Sequence, residues 1–176
     1  MSALVKKLLA IVAAVLVVGI GVEFVRAALQ SGRVRPFTAT ELNGQPFSIE
    51  SAYGKGPILL CFFATWCSPC RMEIPEILRL DEQYRPAGLQ VIYLTQEDAA
   101  TIKADAQISA LPFRMLVNAT DAFEKHRVES LPRTMLVSPS GDIQLELSGV
   151  SEAGLRQLRE KVSELIPTEG STRRSD

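Results

Sequence analysis

Two cysteines in the middle of the chain have a spacing that suits redox chemistry. Cys67 and Cys70 flank a Ser-Pro pair in a C-x-x-C pattern. A helix that begins at this pair would place the first sulfur beside unpaired backbone N–H groups and the positive end of the helix dipole, which favour thiolate over thiol. Pro69 fits the first turn of such a helix. We therefore expect Cys67 to attack a sulfur atom and Cys70 to resolve the mixed disulfide.

The same pair of cysteines has other uses, which the residues alone leave open. Three cysteines are too few for a disulfide scaffold, but they are compatible with one structural disulfide. A zinc site would need more ligands than His126 and Cys61 readily supply beside the pair. The non-enzymatic alternative is a module that binds copper through Cys61, Cys67 and Cys70, or one that only presents a peptide groove.

The residues on either side of the pair predict the elements that position it. Residues 57–64 are apolar without alternation, which is typical of a central strand covered on both faces. A helical pattern then runs from the cysteines to about Tyr84, with apolar side chains recurring along it. The order of strand, dithiol and helix therefore puts Cys67 at a helix N-terminus.

Further elements alternate between strand and helix along the rest of the chain. Residues 37–49 predict a hairpin, because Asn43-Gly44 lies between two apolar positions and suits a tight turn. Thr120 and Ser151 are the expected caps of the last two helices. This alternation indicates an α/β layer architecture. We expect strands at 89–94, 113–117, 135–137 and 143–147, and helices at 97–108, 121–127 and 152–166.

The first 29 residues differ in composition from the remainder. Lys6 and Lys7 precede an uncharged run over 8–22, which predicts that the N-terminus stays in the cytoplasm and the remainder is exported. We expect a single-pass anchor in the inner membrane, with the dithiol on the periplasmic side; a cleaved signal that releases a soluble periplasmic protein is the alternative. The expected organisation is an anchor or signal over 1–29, a linker over 30–36, a folded domain over 37–166 and a disordered tail over 167–176.

The charge balance excludes one class of partner. The 176 residues include 19 Lys+Arg and 20 Asp+Glu, which gives a formal net charge of −1 at pH 7. Nucleic-acid binding through phosphate contacts needs an excess of positive charge. We therefore expect no nucleic-acid partner.

A longer set of motifs surrounds the dithiol. The run Phe-Ala-Thr-Trp-Cys-Ser-Pro-Cys-Arg over 63–71 is followed by Glu73, Pro75 and, further on, Leu-Pro-Arg-Thr over 131–134. Over about residues 37–166, the chain resembles the thioredoxin superfamily and, within it, the TlpA/ResA-like membrane-anchored thiol-disulfide oxidoreductases. The resemblance implies a thioredoxin-like fold with an N-terminal β-hairpin extension and a central helix–strand insertion between about 97 and 117, preceded by one transmembrane or signal-anchor helix.

The resemblance also implies roles for individual residues. Pro132 would follow a cis peptide bond and face the dithiol, and Leu131 would offer backbone groups to an extended substrate segment. Glu73 lies three residues after Cys70 on adjoining helix surface, where a desolvated carboxyl can exchange a proton with the resolving thiol. The alternative for Glu73 is a solvated helix residue. Apart from the disulfide of Cys67 with Cys70, no cofactor is expected.

Three further side chains near these motifs have two interpretations each. Trp66 would shield the dithiol and contact partners, or it would belong to the core. Arg133, directly after the proline, would steer acidic substrates, or it would carry a solvated charge. Arg71 would favour the Cys67 thiolate from one turn away, or it would point to water.

Cys61 and His126 are expected to pack rather than react. Cys61 stands six residues before Cys67, where thioredoxins carry a buried acid, and period-two spacing places it on one strand face with Leu59 and Phe63. A sulfenate partner or a metal thiolate is the alternative for Cys61. His126 is the only histidine in the chain and takes a place where relatives tend to have an aromatic residue.

The function that follows is an exchange of electrons with protein cysteines through a mixed disulfide at Cys67. The resemblance favours reduction of disulfides in exported proteins, with apocytochrome c as one example and a membrane thiol carrier as the source of electrons. An oxidase or isomerase is the rival within the enzyme class, because the Ser-Pro pair between the cysteines does not fix the reduction potential.

Overall fold

The computed structural model describes residues 32–166 of the chain. The chain divides into two units, Met1–Arg33 and Val34–Asp176, and the elements given below belong to the second. The expected anchor at 1–29 and the expected tail at 167–176 lie outside the described residues. Within the described part, no helix combines the length and the apolar character that a membrane crossing requires.

A mixed sheet runs through the described residues, in the order β2-β1-β5-β4-β3-β6-β7. Strand β3 is parallel to β4, and β4 is parallel to β5, whereas the pairings of β3 with β6 and of β6 with β7 are antiparallel. The bounds are β1 Thr38–Glu41, β2 Pro46–Ser48, β3 Ile58–Phe62, β4 Gln90–Leu94, β5 Arg114–Val117, β6 Arg133–Val137 and β7 Ile143–Ser148.

Strand β3 supplies alternate side chains to two apolar cores, as expected for a strand covered on both faces. All five of its residues are buried. Leu59 and Cys61 belong to a core that also contains side chains of the helices beginning at Ser68 and Glu152. Leu60 and Phe62 belong to a second core, which the N-terminal hairpin helps to form. Because successive residues of a strand point to opposite faces, β3 is held from both sides of the sheet.

The helices cover the sheet, and the longest begins at the dithiol. Two short 3₁₀ segments occur as well: Ile49–Ala52 lies between β2 and β3, and Arg85–Ala87 lies between the longest helix and β4. The α-helices are α1 Ser68–Tyr84, α2 Ala99–Ala104, α3 Ala106–Ser109, α4 Thr120–Lys125 and α5 Glu152–Leu165.

Two predicted helices differ from the structure in ways that have local causes. The single helix expected at 97–108 is wrong: α2 and α3 are separate, and Asp105 between them has φ −92° and ψ 99°. The Asp105 carboxylate accepts from backbone N–H groups of α3 and so starts a new helix. Thr120 was expected to cap α4, but it is the first helical residue, and Ala119 occupies the cap position.

The N-terminal hairpin and the last helix agree with the sequence patterns. Strands β1 and β2 pair antiparallel around the Asn43-Gly44 turn, where Gly44 has φ 90°, a conformation that glycine adopts without strain. Strand β1 also pairs with β5, so the hairpin extends the sheet at one edge. The Ser151 side chain accepts from Gly154 N–H and caps α5, as predicted.

Candidate active site around Cys67

The dithiol lies where β3 leads into α1, and Cys67 is the cap residue of that helix. The structure holds Cys67 and Cys70 as a disulfide, with their Cα atoms 5.3 Å apart. The Cys67 sulfur accepts a hydrogen bond from the Cys70 backbone N–H at 3.2 Å, and Pro69 lies in the first turn. A negatively charged sulfur would gain more from this donor and from the helix dipole than the neutral disulfide sulfur does.

A groove of about 540 Å³ opens beside Cys67. Trp66, Cys67 and Leu131 line it, so the structure brings together three of the residues that the sequence singled out. The Leu131–Pro132 peptide bond is cis, as the resemblance implied. Trp66 is 74% exposed, which contradicts its alternative role in the core. The groove therefore has Cys67 in its wall, although only 4% of that residue is exposed.

Arg133 follows the cis-proline but carries a compensated charge. Its Nε donates to Glu146 Oε1 at 2.9 Å, and its Nη2 lies 2.7 Å from the same oxygen. Arg133 is not among the residues that line the groove beside Cys67. The steering of acidic substrates by Arg133 stays a prediction, to which this ion pair lends no support.

Glu73 is buried in the second turn of α1, three residues after Cys70. Only 2% of its surface is exposed, so the alternative of a solvated helix residue is wrong. The Thr134 hydroxyl lies 2.9 and 3.1 Å from the two carboxylate oxygens of Glu73, and no cation pairs with Glu73 within residues 32–166. Burial raises the pKa of Glu73 to about 6, although the Thr134 hydrogen bond acts in the opposite direction. Near neutral pH, this carboxyl can therefore take up or release a proton.

Cys61 lies in the same buried region and stays a neutral thiol. Its neighbours in strand register are Tyr93 on β4 and Thr134 on β6. Burial, and then the charge of Glu73, raise the pKa of Cys61 well above that of a free thiol. The Tyr93 hydroxyl is also buried, without a hydrogen bond of ordinary geometry. These surroundings fit the packing interpretation of Cys61.

His126 also has the surroundings of a packing residue. It is buried, and its ring lies against Phe37 and Phe62, with centroid distances of 6.0 and 5.9 Å. Burial lowers its pKa, so the imidazole is neutral at pH 7.

The metal-binding alternative finds no arrangement of ligands in the described part of the chain. Over residues 32–166, no group of three or more His, Cys, Asp or Glu side chains is placed so that it could hold a metal ion. The Cys67 and Cys70 sulfurs bind each other, and Cys61 is buried within the sheet.

Sequence reasoning missed the residues that hold the loop before Cys67. The Glu97 carboxylate accepts from the backbone N–H of Thr65 at 2.8 Å and from its hydroxyl at 2.6 Å. A signal was present, since Glu97 follows β4, the parallel neighbour of β3. The carboxyl ends of adjacent parallel strands meet at the same edge of a sheet, where binding sites form. Thr134, the partner of Glu73, was recognised only as part of a motif.

Comparison with known sequences relates this chain to a thioredoxin-like protein and to thiol-disulfide oxidoreductases. The AhpC/TSA family model matches residues 32–146. The thioredoxin-like protein YneN of Bacillus subtilis is 32% identical over 120 residues, which cover 66% of this chain and 70% of YneN. The thiol-disulfide oxidoreductase ResA of Bacillus thuringiensis subsp. konkukian is 27% identical over 142 residues, or 79% of this chain and 80% of ResA.

Solved structures with the same arrangement of strands and helices include two at 22% sequence identity. A putative thiol:disulfide interchange protein DsbE from Chlorobium tepidum superposes with a TM-score of 0.66, over 76% of this chain and 95% of its own. A putative protein disulfide isomerase from Bacteroides thetaiotaomicron superposes with a TM-score of 0.68, over 77% and 89%. At this level of identity, the two structures establish the thioredoxin-like α/β fold with its mixed sheet.

Proposed function

From a chain that belongs to the AhpC/TSA family, we infer a thiol-disulfide oxidoreductase that acts on protein thiols and disulfides. The observation that carries this conclusion is the Cys67–Cys70 disulfide at the start of α1: Cys67 lines a groove, and its sulfur accepts a hydrogen bond from a backbone N–H. Relatives named thiol-disulfide oxidoreductases support it over most of the length of both chains. The alternative of a peptide-binding module that catalyses no reaction gives no role to a dithiol beside the groove.

The first step, in the reducing direction, is attack by the Cys67 thiolate on one sulfur of a client disulfide. The S–S bond of the client breaks, a mixed disulfide forms between Cys67 and one client sulfur, and the other client sulfur leaves as a thiolate. The Cys70 N–H and the N-terminal end of α1 stabilise the attacking thiolate. The cis bond before Pro132 and the groove at Leu131 would hold the client backbone in place.

The second step resolves the mixed disulfide. Cys70 gives up its proton and attacks the Cys67 sulfur, which releases the second client sulfur and closes the Cys67–Cys70 disulfide. Cys70 is only 2% exposed, so bulk water is a poor acceptor for its proton. Glu73, one turn further along the same helix and buried with it, is ionised for the most part at pH 7 and can accept that proton.

The reducing direction, the compartment and the partners belong to the proposal as well. The N-terminal segment over 1–29 would tether the domain to the inner membrane, with its groove on the periplasmic side. Exported proteins with unwanted disulfides would be the clients, and apocytochrome c is one that the sequence resemblance suggests. A membrane thiol carrier would return two electrons to the Cys67–Cys70 disulfide after each cycle.

Reduction of insulin disulfides with dithiothreitol as electron source tests the activity. The parent protein should accelerate the reaction, and Cys67→Ser should abolish the acceleration, because no other described thiol lines the groove. Cys61→Ser is the matched control: it also removes one thiol, but a buried one, and should keep the activity. Full activity in Cys67→Ser would contradict the proposed mechanism.

Two further measurements address the direction and the clients. Equilibration with glutathione should leave the protein mostly in the disulfide form, because a reductant gives up its electrons readily; a strongly oxidising potential would favour the oxidase instead. Cys70→Ser should accumulate client proteins as mixed disulfides with Cys67. Identification of the trapped proteins shows whether cytochrome precursors are among the clients.

A further inference from the structure

Every polar group of Thr65 is held by a side chain from elsewhere in the sequence. Its backbone N–H and its hydroxyl both donate to the Glu97 carboxylate, at 2.8 and 2.6 Å. Its carbonyl oxygen accepts from Arg71 Nε at 3.0 Å and from Arg71 Nη2 at 2.8 Å. We call this arrangement of Thr65, Glu97 and Arg71 the loop clamp. A loop peptide with all its donors and acceptors satisfied by fixed partners has little freedom to move.

The partners in the loop clamp are themselves held. Glu97 Oε2 also accepts from the Thr95 hydroxyl at 3.0 Å, directly after β4. Arg71 forms an ion pair with Asp105, and its Nη1 donates to Gln107 Oε1 at 3.3 Å. Asp105 is fixed in turn because it caps α3. The segment from Thr95 to α3 thus acts as a support for the loop that precedes the dithiol.

The loop clamp acts next to Cys67. Thr65 precedes Cys67 by two residues, and the Cys67 N–H donates to the carbonyl oxygen of Ala64 at 3.1 Å. On the other side, the Arg71 N–H donates to the carbonyl oxygen of Cys67 at 3.3 Å. Arg71 therefore contacts the backbone at Thr65 through its side chain and at Cys67 through its own N–H, so one contact lies two residues before the reactive residue and the other lies on that residue.

We propose that Glu97, acting through Thr65, is a positioning residue that keeps Cys67 at the N-terminus of α1 when the disulfide opens, and so sets the stability of the thiolate. The proposal rests on the proposed oxidoreductase function, because a dithiol that never opens would need no such support. Glu97 touches neither the sulfur atoms nor the groove as the structure places them, so its effect is indirect.

The physical reason is the steep dependence of thiolate stabilisation on geometry. In the disulfide form, the bond to Cys70 fixes the Cys67 sulfur 3.2 Å from the Cys70 nitrogen. After reduction, that covalent restraint is gone, and the hydrogen bond weakens quickly with distance and angle. The charge of the helix end also acts only within the first turn. A restrained loop keeps both contributions available to the free thiolate.

Several charged side chains lie in this region, namely Glu97, Arg71, Asp105 and the buried Glu73. A substitution that changes no charge therefore isolates the positioning effect from an electrostatic one. Thr65→Val keeps the shape of the side chain but removes the hydroxyl that donates to Glu97. In the reduced protein, we expect alkylation of Cys67 by iodoacetamide at pH 7 to slow about threefold as the thiolate fraction falls. The equilibrium with glutathione should shift about threefold toward the disulfide, or ~14 mV. Thr65→Ser retains the hydroxyl and should restore both values.

A second pair of variants separates position from charge. Removal of a negative charge near a thiol favours the thiolate, so charge alone predicts faster alkylation in Glu97→Ala. Loss of the loop clamp predicts slower alkylation, and this is the expected result. Asp98→Asn is the matched control: it removes a neighbouring negative charge from the cap of α2, where Asp98 accepts from Thr101 N–H at 2.8 Å, without touching Thr65.

Two results would overturn the proposal. The first is a Thr65→Val variant with the alkylation rate and glutathione equilibrium of the parent, whether or not its stability toward urea falls, since the hydrogen bonds would then serve only the fold. The second is faster alkylation in Glu97→Ala. None of these measurements requires turnover of a client, so a parent that failed to reduce insulin would refute the proposed function and still leave the loop clamp testable.

Discussion

Helix α1 contains two buried carboxylates one turn apart, which differ in the charge of their hydrogen-bond partners. Glu73 and Glu76 are 2% and 3% exposed. Glu76 forms ion pairs with Arg79 and with Arg159, the latter at 3.0 Å from Nη1 to Oε1. Burial acts to raise the pKa of Glu76, but the hydrogen bonds and charges of the two arginines outweigh it and lower the pKa. Glu73 has only a threonine hydroxyl, and its pKa rises to about 6.

The contrast separates a carboxylate that serves the fold from one that suits proton transfer. A buried charge with two cationic partners is ionised at all ordinary pH values and links α1 to α5. Ionisation of a buried carboxyl with a neutral partner lowers the free energy of unfolding, and such a carboxyl titrates near neutrality. Equal burial therefore says little about function, whereas the charge of the partner distinguishes the two sites.

The largest expected effect is on the step in which Cys70 resolves the mixed disulfide. In Glu73→Gln, the proton acceptor is lost, and we expect resolution of a Cys67 mixed disulfide at pH 7 to slow by about 10- to 100-fold. Stopped-flow release of an aromatic thiol from Cys67 measures this step directly. In the parent protein, the rate should also fall as the pH drops through about 6, where Glu73 becomes protonated.

The control for this prediction is Glu76→Gln, which removes the neighbouring charge and should leave the resolution rate unchanged. The neutral amide in Glu73→Gln should not destabilise the fold above pH 6, so unfolding cannot explain a slow rate. Equal rates for the parent and Glu73→Gln would remove Glu73 from the mechanism.

A second effect concerns the dependence of stability on pH. The pKa of Glu73 rises from 4.5 to about 6 on folding, so the native state binds this proton more tightly than the unfolded state. The contribution is fully present below pH 4.5 and is lost as the pH rises through 6, a decrease of about 2 kcal/mol in the free energy of unfolding. His126, whose pKa is lowered by burial, gains stability as the pH rises through the same range, so the Glu73 contribution is measured as the difference between the parent and Glu73→Gln in urea denaturation of the disulfide form. Glu76→Gln should follow the parent, and an equal pH dependence in the parent and Glu73→Gln would assign the decrease to another group.

A third, smaller effect concerns the stability that Glu76 provides. In Glu76→Gln, two arginines lose their charged partner, but Arg79 and Arg159 are exposed enough to stay solvated. We expect the free energy of unfolding at pH 7 to fall by about 1 kcal/mol. Insulin reduction at the same pH should be unaffected. A variant as stable as the parent would show that the ion pairs only offset the cost of burying the carboxylate.

The smallest effect concerns Arg159, the partner of Glu76 on α5. Its side chain is half exposed, so Arg159→Gln should lower the free energy of unfolding by only about 0.5 kcal/mol. The loss should shrink further in high salt, because exposed charges are screened. Urea denaturation at low and high ionic strength measures both. A loss larger than that of Glu76→Gln would mean that Arg159 stabilises the fold through packing rather than charge.

The parts of the fold that follow from periodicity and punctuation were predictable from the sequence. The buried strand before Cys67, the hairpin around Asn43-Gly44 and the capped last helix all match the structure. These features depend on neighbouring residues only, so a local pattern suffices. The break between α2 and α3 escaped prediction because Asp105 also serves a distant partner, Arg71, which a local pattern does not reveal.

In the candidate site, too, the local motifs were predictable from the sequence and the long-range contacts were not. The C-x-x-C pair and the cis-proline were recognisable from motifs, whereas the environment of Glu73 depends on Thr134, 61 residues away. Likewise, Glu97 reaches Thr65 over 32 residues, through the meeting of two parallel strands. Such contacts exist only after the sheet has formed. Sequence spacing therefore identifies the reacting cysteines more easily than the groups that set their protonation and position.

Strand β3 lies in the interior of the sheet, and this placement limits where the chain can rearrange when the dithiol changes its oxidation state. This strand is hydrogen-bonded along both edges, by β4 and β6, and all its side chains are buried. Amide protons in such a strand exchange with solvent only when the whole domain opens. Any rearrangement between the disulfide and dithiol forms should therefore be confined to the segments that follow the strand, so that the end of β3 leading to Cys67 keeps its place in both forms.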